Sequence, residues 1–250
     1  DDSSIDAVVI CTQHNSHACL VKNAIDKEKH IFVEKPLALK LSDLDDIEKK
    51  LEISNKILTV GFNRRFSPHI IKIRSLIENI KSPKSIIINI NAGKIDKDHW
   101  LKDNEIGGGR LIGEAIHHID LIRYIIDKKI IGWNKVVLGS GEDTFSIQFN
   151  FSDGSIGVIN YFSNGSKSMQ KERLELFVDN KILVLNNFIS LVGYGWKSFK
   201  YMRTWRQDKG QKELVKRFLR AINKNQQPPI PYDEIIEVNR LSINISQKEK

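Results

Sequence analysis

Three short stretches of this sequence collect side chains that can do chemistry. In the first, Thr12-Gln13-His14-Asn15-Ser16-His17, two hydroxyls, two amides and two imidazoles follow a short apolar run. Such groups can meet a ribose or a pyrophosphate. The plainer alternative is that Ser16 caps the next helix and the rest is a polar loop. The second stretch is Glu34-Lys35-Pro36. Adjacent opposite charges at a strand end are usually surface, but a lysine held in a site can lower its pKa by burial and move a proton. Pro36 fixes the backbone there and permits a cis bond. The third runs from Gly107-Gly108-Gly109-Arg110 through Gly113-Glu114 to His117-His118-Ile119-Asp120. Glu114 and His117 stand three apart on one helical face, and a carboxylate beside an imidazole can orient it and raise its basicity. A single His on a helix is more often structural, but the glycine run lets another group approach the helix entry closely.

Other chemistries fit less well. Glu114, His117, His118 and Asp120 are zinc-ligand types, yet HExxH is absent and no distal ligand cluster accompanies them, so no metal is expected. No GxSxG is present for a serine hydrolase. Cys11 and Cys19 sit in neither a CxxC pair nor a His cluster and read as small buried hydrophobes in a reducing compartment.

The elements that must position these residues follow from pattern. Ala7 to Cys11, Ile31 to Val33 and Ile57 to Val60 are short apolar runs of the kind buried parallel strands carry. Ser16 to Ile25, Ser42 to Leu51 and Pro68 to Ile80 read as helices between or after them, with Ser42 and Asp45 forming a partial capping box. Strand and helix alternating over short links imply a parallel sheet with helices on its faces. Beyond Pro83 the pattern changes. Lys84 to Asn91 is a strand, and a long polar loop then leads to the glycine run and a helix ending near Ile126. Strands follow over Val136 to Leu138, Thr144 to Phe151, Ser155 to Phe162, Arg173 to Val178 and Ile182 to Leu185. Asp153-Gly154 and Asp179-Asn180 are the expected hairpin turns, which make these strands antiparallel. Gln211 to Asn223 and Asp233 to Ile245 close the chain as helices. The expected fold is α/β: a partial Rossmann parallel sheet over residues 1–82, then an α+β domain over 83–250 with a mainly antiparallel, open-faced sheet. In doubly wound sheets ligands bind beyond the carboxyl ends of the strands, where the first two stretches lie.

The 250 residues are 40% hydrophobic and 28% charged, a soluble globular balance. No apolar run approaches the roughly 18 residues of a membrane span, and the start lacks the pattern of a signal peptide. With no initiator Met, the chain is expected to be a piece of a longer, cytoplasmic protein. The net charge of +8 is spread along the whole length, which reads as solvated surface rather than a nucleic-acid face, and its field favours an anionic cofactor.

Taken together, the three stretches resemble the Gfo/Idh/MocA oxidoreductases. Asp6-Ala7-Val8-Val9-Ile10-Cys11-Thr12 with His17 resembles that family's fourth Rossmann strand and following loop. Glu34-Lys35-Pro36 is the family's triplet, Gly61-Phe62-Asn63-Arg64-Arg65-Phe66 resembles the segment that closes its cofactor domain, and the triple glycine with His117 and Asp120 resembles its substrate-side helix. A narrower likeness, in Asn91-Ala92-Gly93, Asp98-His99-Trp100 and Gln207-Asp208-Lys209-Gly210, is to a subgroup fused behind a zinc alcohol-dehydrogenase-like domain and associated with surface-polysaccharide genes.

The resemblance implies an NAD- or NADP-dependent dehydrogenase acting on a sugar, sugar nucleotide or cyclitol. Thr12, Asn15, His17, Glu34, Lys35, Asn63 and Arg64 would lie by the cofactor. Lys35, Trp100, Arg110 and His117 would lie by the substrate, with His117 as general acid/base and Lys35 relaying protons. It also implies a homo-oligomer, dimer or tetramer, packed through the open sheet face. Three departures stand out. Glu28 replaces a glycine before the second strand. Gly113 stands where the family has an aspartate, with Glu114 beside it as the expected substitute in orienting His117. No GxGxxG precedes residue 6, so the pyrophosphate loop is absent from these residues. The competing reading is a truncated or non-catalytic homologue acting as a binding or assembly module.

Overall fold

The computed structural model describes residues 2–139 and 143–247. In chain order the elements are β1 (Ala7–Ile10), α1 (His14–Asp26), β2 (His30–Val33), α2 (Leu41–Glu52), β3 (Leu58–Val60), α3 (Pro68–Ile77), β4 (Ser85–Asn91), α4 (Ile116–Ile126), β5 (Ile130–Val137), β6 (Phe145–Phe151), β7 (Ile156–Phe162), β8 (Glu172–Val178), β9 (Lys181–Asn186), β10 (Ser190–Tyr194), β11 (Tyr201–Arg203), α5 (Gln211–Asn223) and α6 (Tyr232–Gln247). Among the described residues no helix is long and apolar enough to cross a membrane.

The chain forms two compact units, each built from separated stretches of the sequence. The first comprises Asp1–Phe62, Lys97–Asp120 and Lys212–Lys250. Its parallel sheet has the order β1-β2-β3. Val33, Leu58 and Val60 are wholly buried in it, as expected where helices cover a parallel sheet. On α2, Leu44, Ile47 and Leu51 recur at three and four residues and form its buried stripe. Two later helices complete the unit. Phe218 of α5 meets Phe32 of β2 edge-on at 5.7 Å. Ahead of β3, the Tyr232 hydroxyl accepts from the Leu58 N–H and donates to the Lys56 carbonyl. On the outside, Arg240 of α6 pairs with Asp45 and Glu48 of α2.

Three local expectations need correcting. α1 begins at His14 behind Gln13, so Ser16 lies in its first turn, where its hydroxyl donates back to the Gln13 carbonyl. α2 begins at Leu41 behind Lys40 without a side-chain cap, leaving Ser42 inside the helix. Cys11 and Cys19 are exposed rather than buried. Cys11 follows β1, which has a sheet neighbour on one side only, and Cys19 lies off the buried stripe of α1.

The second unit comprises Asn63–Asp96 and Leu121–Gln211. Its eight-stranded sheet runs β11-β10-β9-β8-β4-β7-β6-β5. Every pairing is antiparallel except β4 with β7. Asp179 and Asn180 join β8 to β9 with φ of 45° and 58°, the left-handed pair that a tight hairpin requires. β5 is longer than its sequence pattern indicates, and β10 and β11 extend the sheet by two strands that the pattern did not mark. Burial alternates along β4, β6, β7 and β8, so one face is core and the other is open. Ile122 of α4 packs where a side chain on Gly157 would stand, on the core face.

Candidate functional site

The first two stretches are brought together in the first unit by the parallel strands. Thr12 and His14 follow β1, and Glu34 and Lys35 follow β2, at the carboxyl ends where such sheets bind ligands. The Lys35-Pro36 peptide is cis. His17 lies under this segment, wholly buried. Its Nδ1 is 2.7 Å from the Pro36 carbonyl and its Nε2 is 3.0 Å from the Thr12 carbonyl. His17 thus ties the two loops together through backbone oxygens. Thr12 is exposed, with its hydroxyl 2.6 Å from that of Ser16. Asn15 is exposed at the start of α1, and its N–H donates to the Ile106 carbonyl. Glu34 is half-buried, with its carboxylate over Gly61.

The third stretch meets the first two within the same unit. Leu111–Ala115 form a single π-helical turn that runs on into α4. Such turns are rare and recur at functional sites. The Lys35 ammonium donates to the Gly113 carbonyl in this turn. His117, half-buried on the next turn, meets the ring of Phe62 edge-on at 6.5 Å. Glu114 faces Arg110, whose Nη2 lies 3.3 Å from its Oε1. The Arg110 side chain is only 1% exposed, so this pair braces the turn from within. The groups that approach the glycine run closely are the chain's own Leu101, at Gly107, and Leu39, at Gly108. A Cβ on Gly107 would collide with the Leu101 backbone, and one on Gly113 would collide with the Leu101 side chain.

His14 is central to this arrangement, although its spacing alone gave it no distinct role. It is 7% exposed. Its Nδ1 is 2.7 Å from the Gly107 carbonyl, so Nδ1 carries the hydrogen. Trp100 meets it edge-on at 4.8 Å and stacks in turn on His99 at 5.9 Å. Burial pushes the His14 pKa down to about 4, against the opposing pull of the Gly107 carbonyl, and the charges of Lys35 and His17 push the same way. Near neutral pH His14 is therefore a neutral ring with one fixed tautomer. Asn239 is a second residue not singled out from sequence. It is wholly buried on α6, where its Oδ1 accepts from the Leu37 N–H and its Nδ2 donates to the Ile235 carbonyl. It anchors the segment that leaves the cis proline.

Asn63 and Arg64 fall in the second unit. Asn63 donates to the Lys209 carbonyl at 2.7 Å. Arg64 forks onto Glu172, with Nε to Oε2 at 3.2 Å and Nη2 to Oε1 at 3.0 Å. Lys209 donates to the same Glu172 Oε1 at 2.6 Å. The Arg64 guanidinium is thus committed to a buried ion cluster. Among the described residues no group of three or more His, Cys, Asp or Glu is arranged to hold a metal.

Residues 1–62 match the family model described as GFO_IDH_MocA, oxidoreductase family, NAD-binding Rossmann fold. A myo-inositol 2-dehydrogenase of Thermotoga maritima is 29% identical over 188 residues, covering 71% of this chain and 55% of that protein. The oxidoreductase YrbE of Bacillus subtilis is 27% identical, over 96% of this chain and 75% of that one. The chain thus spans between about half and three quarters of these relatives. A levoglucosan dehydrogenase solved with NADH and levoglucosan superposes over 100% of this chain and 80% of its own, with a TM-score of 0.85 at 20% identity, a likeness of fold.

Proposed function

We propose that this chain is most of a Gfo/Idh/MocA oxidoreductase, which moves a hydride between a nicotinamide cofactor, NAD(H) or NADP(H), and a hydroxyl carbon of a cyclitol, sugar or sugar nucleotide. The observation that carries this reading is the convergence of Lys35 on the turn that leads into His117. A cationic donor and an imidazole on adjoining segments are what an alcohol oxidation needs. The names of the relatives point to inositol and sugar dehydrogenation.

The residues present fit one half of a dinucleotide. Beyond β1 stand the exposed Thr12 hydroxyl and the N-terminal end of α1, whose dipole favours an anion. Glu34 stands beyond β2. When bound, the nicotinamide ring supplies the two-electron step by accepting hydride from the alcohol carbon. The chain's own groups do the rest. His117 takes the hydroxyl proton as the carbonyl forms and returns it in the reverse direction. Lys35, held on the Gly113 carbonyl, donates to the reacting oxygen and stabilises the negative charge that develops there. Glu114, which also pairs with Arg110, orients His117. Along the chain, residues 1–82 complete the cofactor domain and 83–250 carry the substrate and a subunit contact. We place the glycine-loop half of the cofactor domain upstream of these residues. Val9, 67% exposed in a strand of buried-strand composition, supports that placement. The likeness of Gln207-Asp208-Lys209-Gly210 to the fused subgroup supports a longer gene product as well.

Calorimetry of NADH and NADPH with the 250-residue chain and with the full gene product tests this reading. Binding to the full product and weak binding to the chain alone is the expected result. No binding to either would replace the enzyme with a non-catalytic assembly module.

A further inference from the structure

We propose that His14 is a substrate-binding residue whose Nε2 accepts a hydrogen bond from a hydroxyl of an uncharged polyol, beside the Lys35 ammonium. This rests on the dehydrogenase reading above and adds a specificity element to it.

Three observations converge on the ring. First, its orientation is set from both sides, by the Gly107 carbonyl at Nδ1 and by the edge of Trp100. A neutral imidazole that donates through Nδ1 presents only a lone pair at Nε2. That nitrogen has no hydrogen-bond partner among the described residues, although the residue is almost wholly buried. Second, the ring stands over the glycine of the π-helical turn. A Cβ on Gly113 would lie 3.2 Å from His14 Cε1, so the imidazole edge takes up space that a side chain at 113 would claim. Third, the carbonyl of that glycine receives the Lys35 ammonium, and the Lys35 charge is felt at His14. One acceptor and one cationic donor therefore adjoin the same residue.

This pairing selects chemically. A hydroxyl both donates and accepts, and so satisfies Nε2 and the ammonium together. A carboxylate has no hydrogen to give and would set its charge against the Nε2 lone pair. The site thus suits a sugar or cyclitol carrying a neighbouring hydroxyl better than a hydroxy acid. Trp100, 38% exposed beside the ring, adds an apolar flank of the kind that sugar C–H faces meet.

The test uses the full-length protein, with wild type, His14→Phe and His14→Gln. Each is assayed with myo-inositol, D-glucose and their monodeoxy analogues, and NADH affinity is measured by calorimetry. Loss of one hydrogen bond to a neutral acceptor is worth about tenfold in KM. His14→Phe is expected to raise KM for the preferred polyol about tenfold with NADH affinity unchanged, and His14→Gln to recover most of it. One deoxy analogue should carry the same penalty in wild type and no further penalty in His14→Phe. An unchanged KM in a folded, active His14→Phe enzyme overturns the proposal alone. Equal losses in both variants that track a lowered melting temperature assign His14 to packing and overturn it too. Wild-type protein that binds NADH but turns over no polyol removes the dehydrogenase reading, and this proposal with it.

Discussion

At the scale of single residues, the site is organised by groups that bind backbone carbonyls. His17 reaches the carbonyls of Thr12 and Pro36, His14 that of Gly107, and Lys35 that of Gly113. Carbonyls do not titrate, so the ionisation that matters here is that of the His14 ring. For His14 the sign is clear. The folded protein holds it neutral down to about pH 4, whereas an unfolded imidazole protonates near 6.5. Between those limits the unfolded state binds the proton and the folded state does not, so stability falls as pH drops through that window. The contribution is about 1.4 kcal/mol per pH unit. Urea unfolding of wild type and His14→Phe at intervals from pH 7 to 4 should show a shallower slope for the variant. Identical slopes would mean that His14 is solvated enough to protonate in the native state. The long-range pairings are not visible in local sequence. His14 and Gly107 are 93 residues apart, and the first stretch shows only that two imidazoles follow a strand.

At the scale of elements, structure is legible in the sequence where the pattern is periodic and hidden where the determinant is distant. The parallel strands, α5 and the hairpin at Asp179-Asn180 are legible because local composition suffices: apolar runs, a stripe at helical spacing, residues that tolerate positive φ. β10 and β11 are short, and Gly193 interrupts the first, so their strand identity comes from pairing with β9 and with each other. Asn239 is a polar residue in the apolar stripe of α6 whose purpose, capping the Leu37 N–H, lies 202 residues away. The loop Gln207-Asp208-Lys209-Gly210 is a further case. It wraps the short helical turn Asn63–Phe66: the Lys209 carbonyl accepts from Asn63, the Asp208 carbonyl accepts from Ser67, and a Cβ on Gly210 would lie 2.5 Å from Phe66 C and Ser67 N. Glu172 locks this arrangement by holding Arg64 and Lys209 together, with its side chain 3% exposed. Burial pushes the Lys209 pKa down even though Glu172 pulls it up, a measure of how dry the cluster is. Glu172→Gln leaves two buried cations without their anion, at a cost of about 3–5 kcal/mol. A fall in Tm of about 10 °C is expected by calorimetric melting. A change within about 2 °C would show that water reaches the cluster.

At the scale of the whole molecule, the open face of the eight-stranded sheet is the feature that calls for a partner, and the partner we propose is a second copy of the chain. The face is not uniform. One register row is polar: Ser146 donates to Asn160, which donates to Asn89, across three neighbouring strands. Rows on either side carry Phe162, and Ile156 with Phe177, each more than a third exposed. A ladder already closed on itself asks little of a partner, while the flanking apolar side chains gain from burial at about 25 cal/mol per Å². That combination suits a self-complementary contact, since in a two-fold interface each row can meet its own copy. The expected result by light scattering at micromolar concentration is a dimer or tetramer. Phe177→Lys with Ile156→Lys should shift it to monomer while the far-ultraviolet circular dichroism stays unchanged, because both side chains point away from the core face. A wild-type protein that scatters as a monomer would remove the subunit contact from the reading. The open face would then be a surface that its polar row alone keeps soluble.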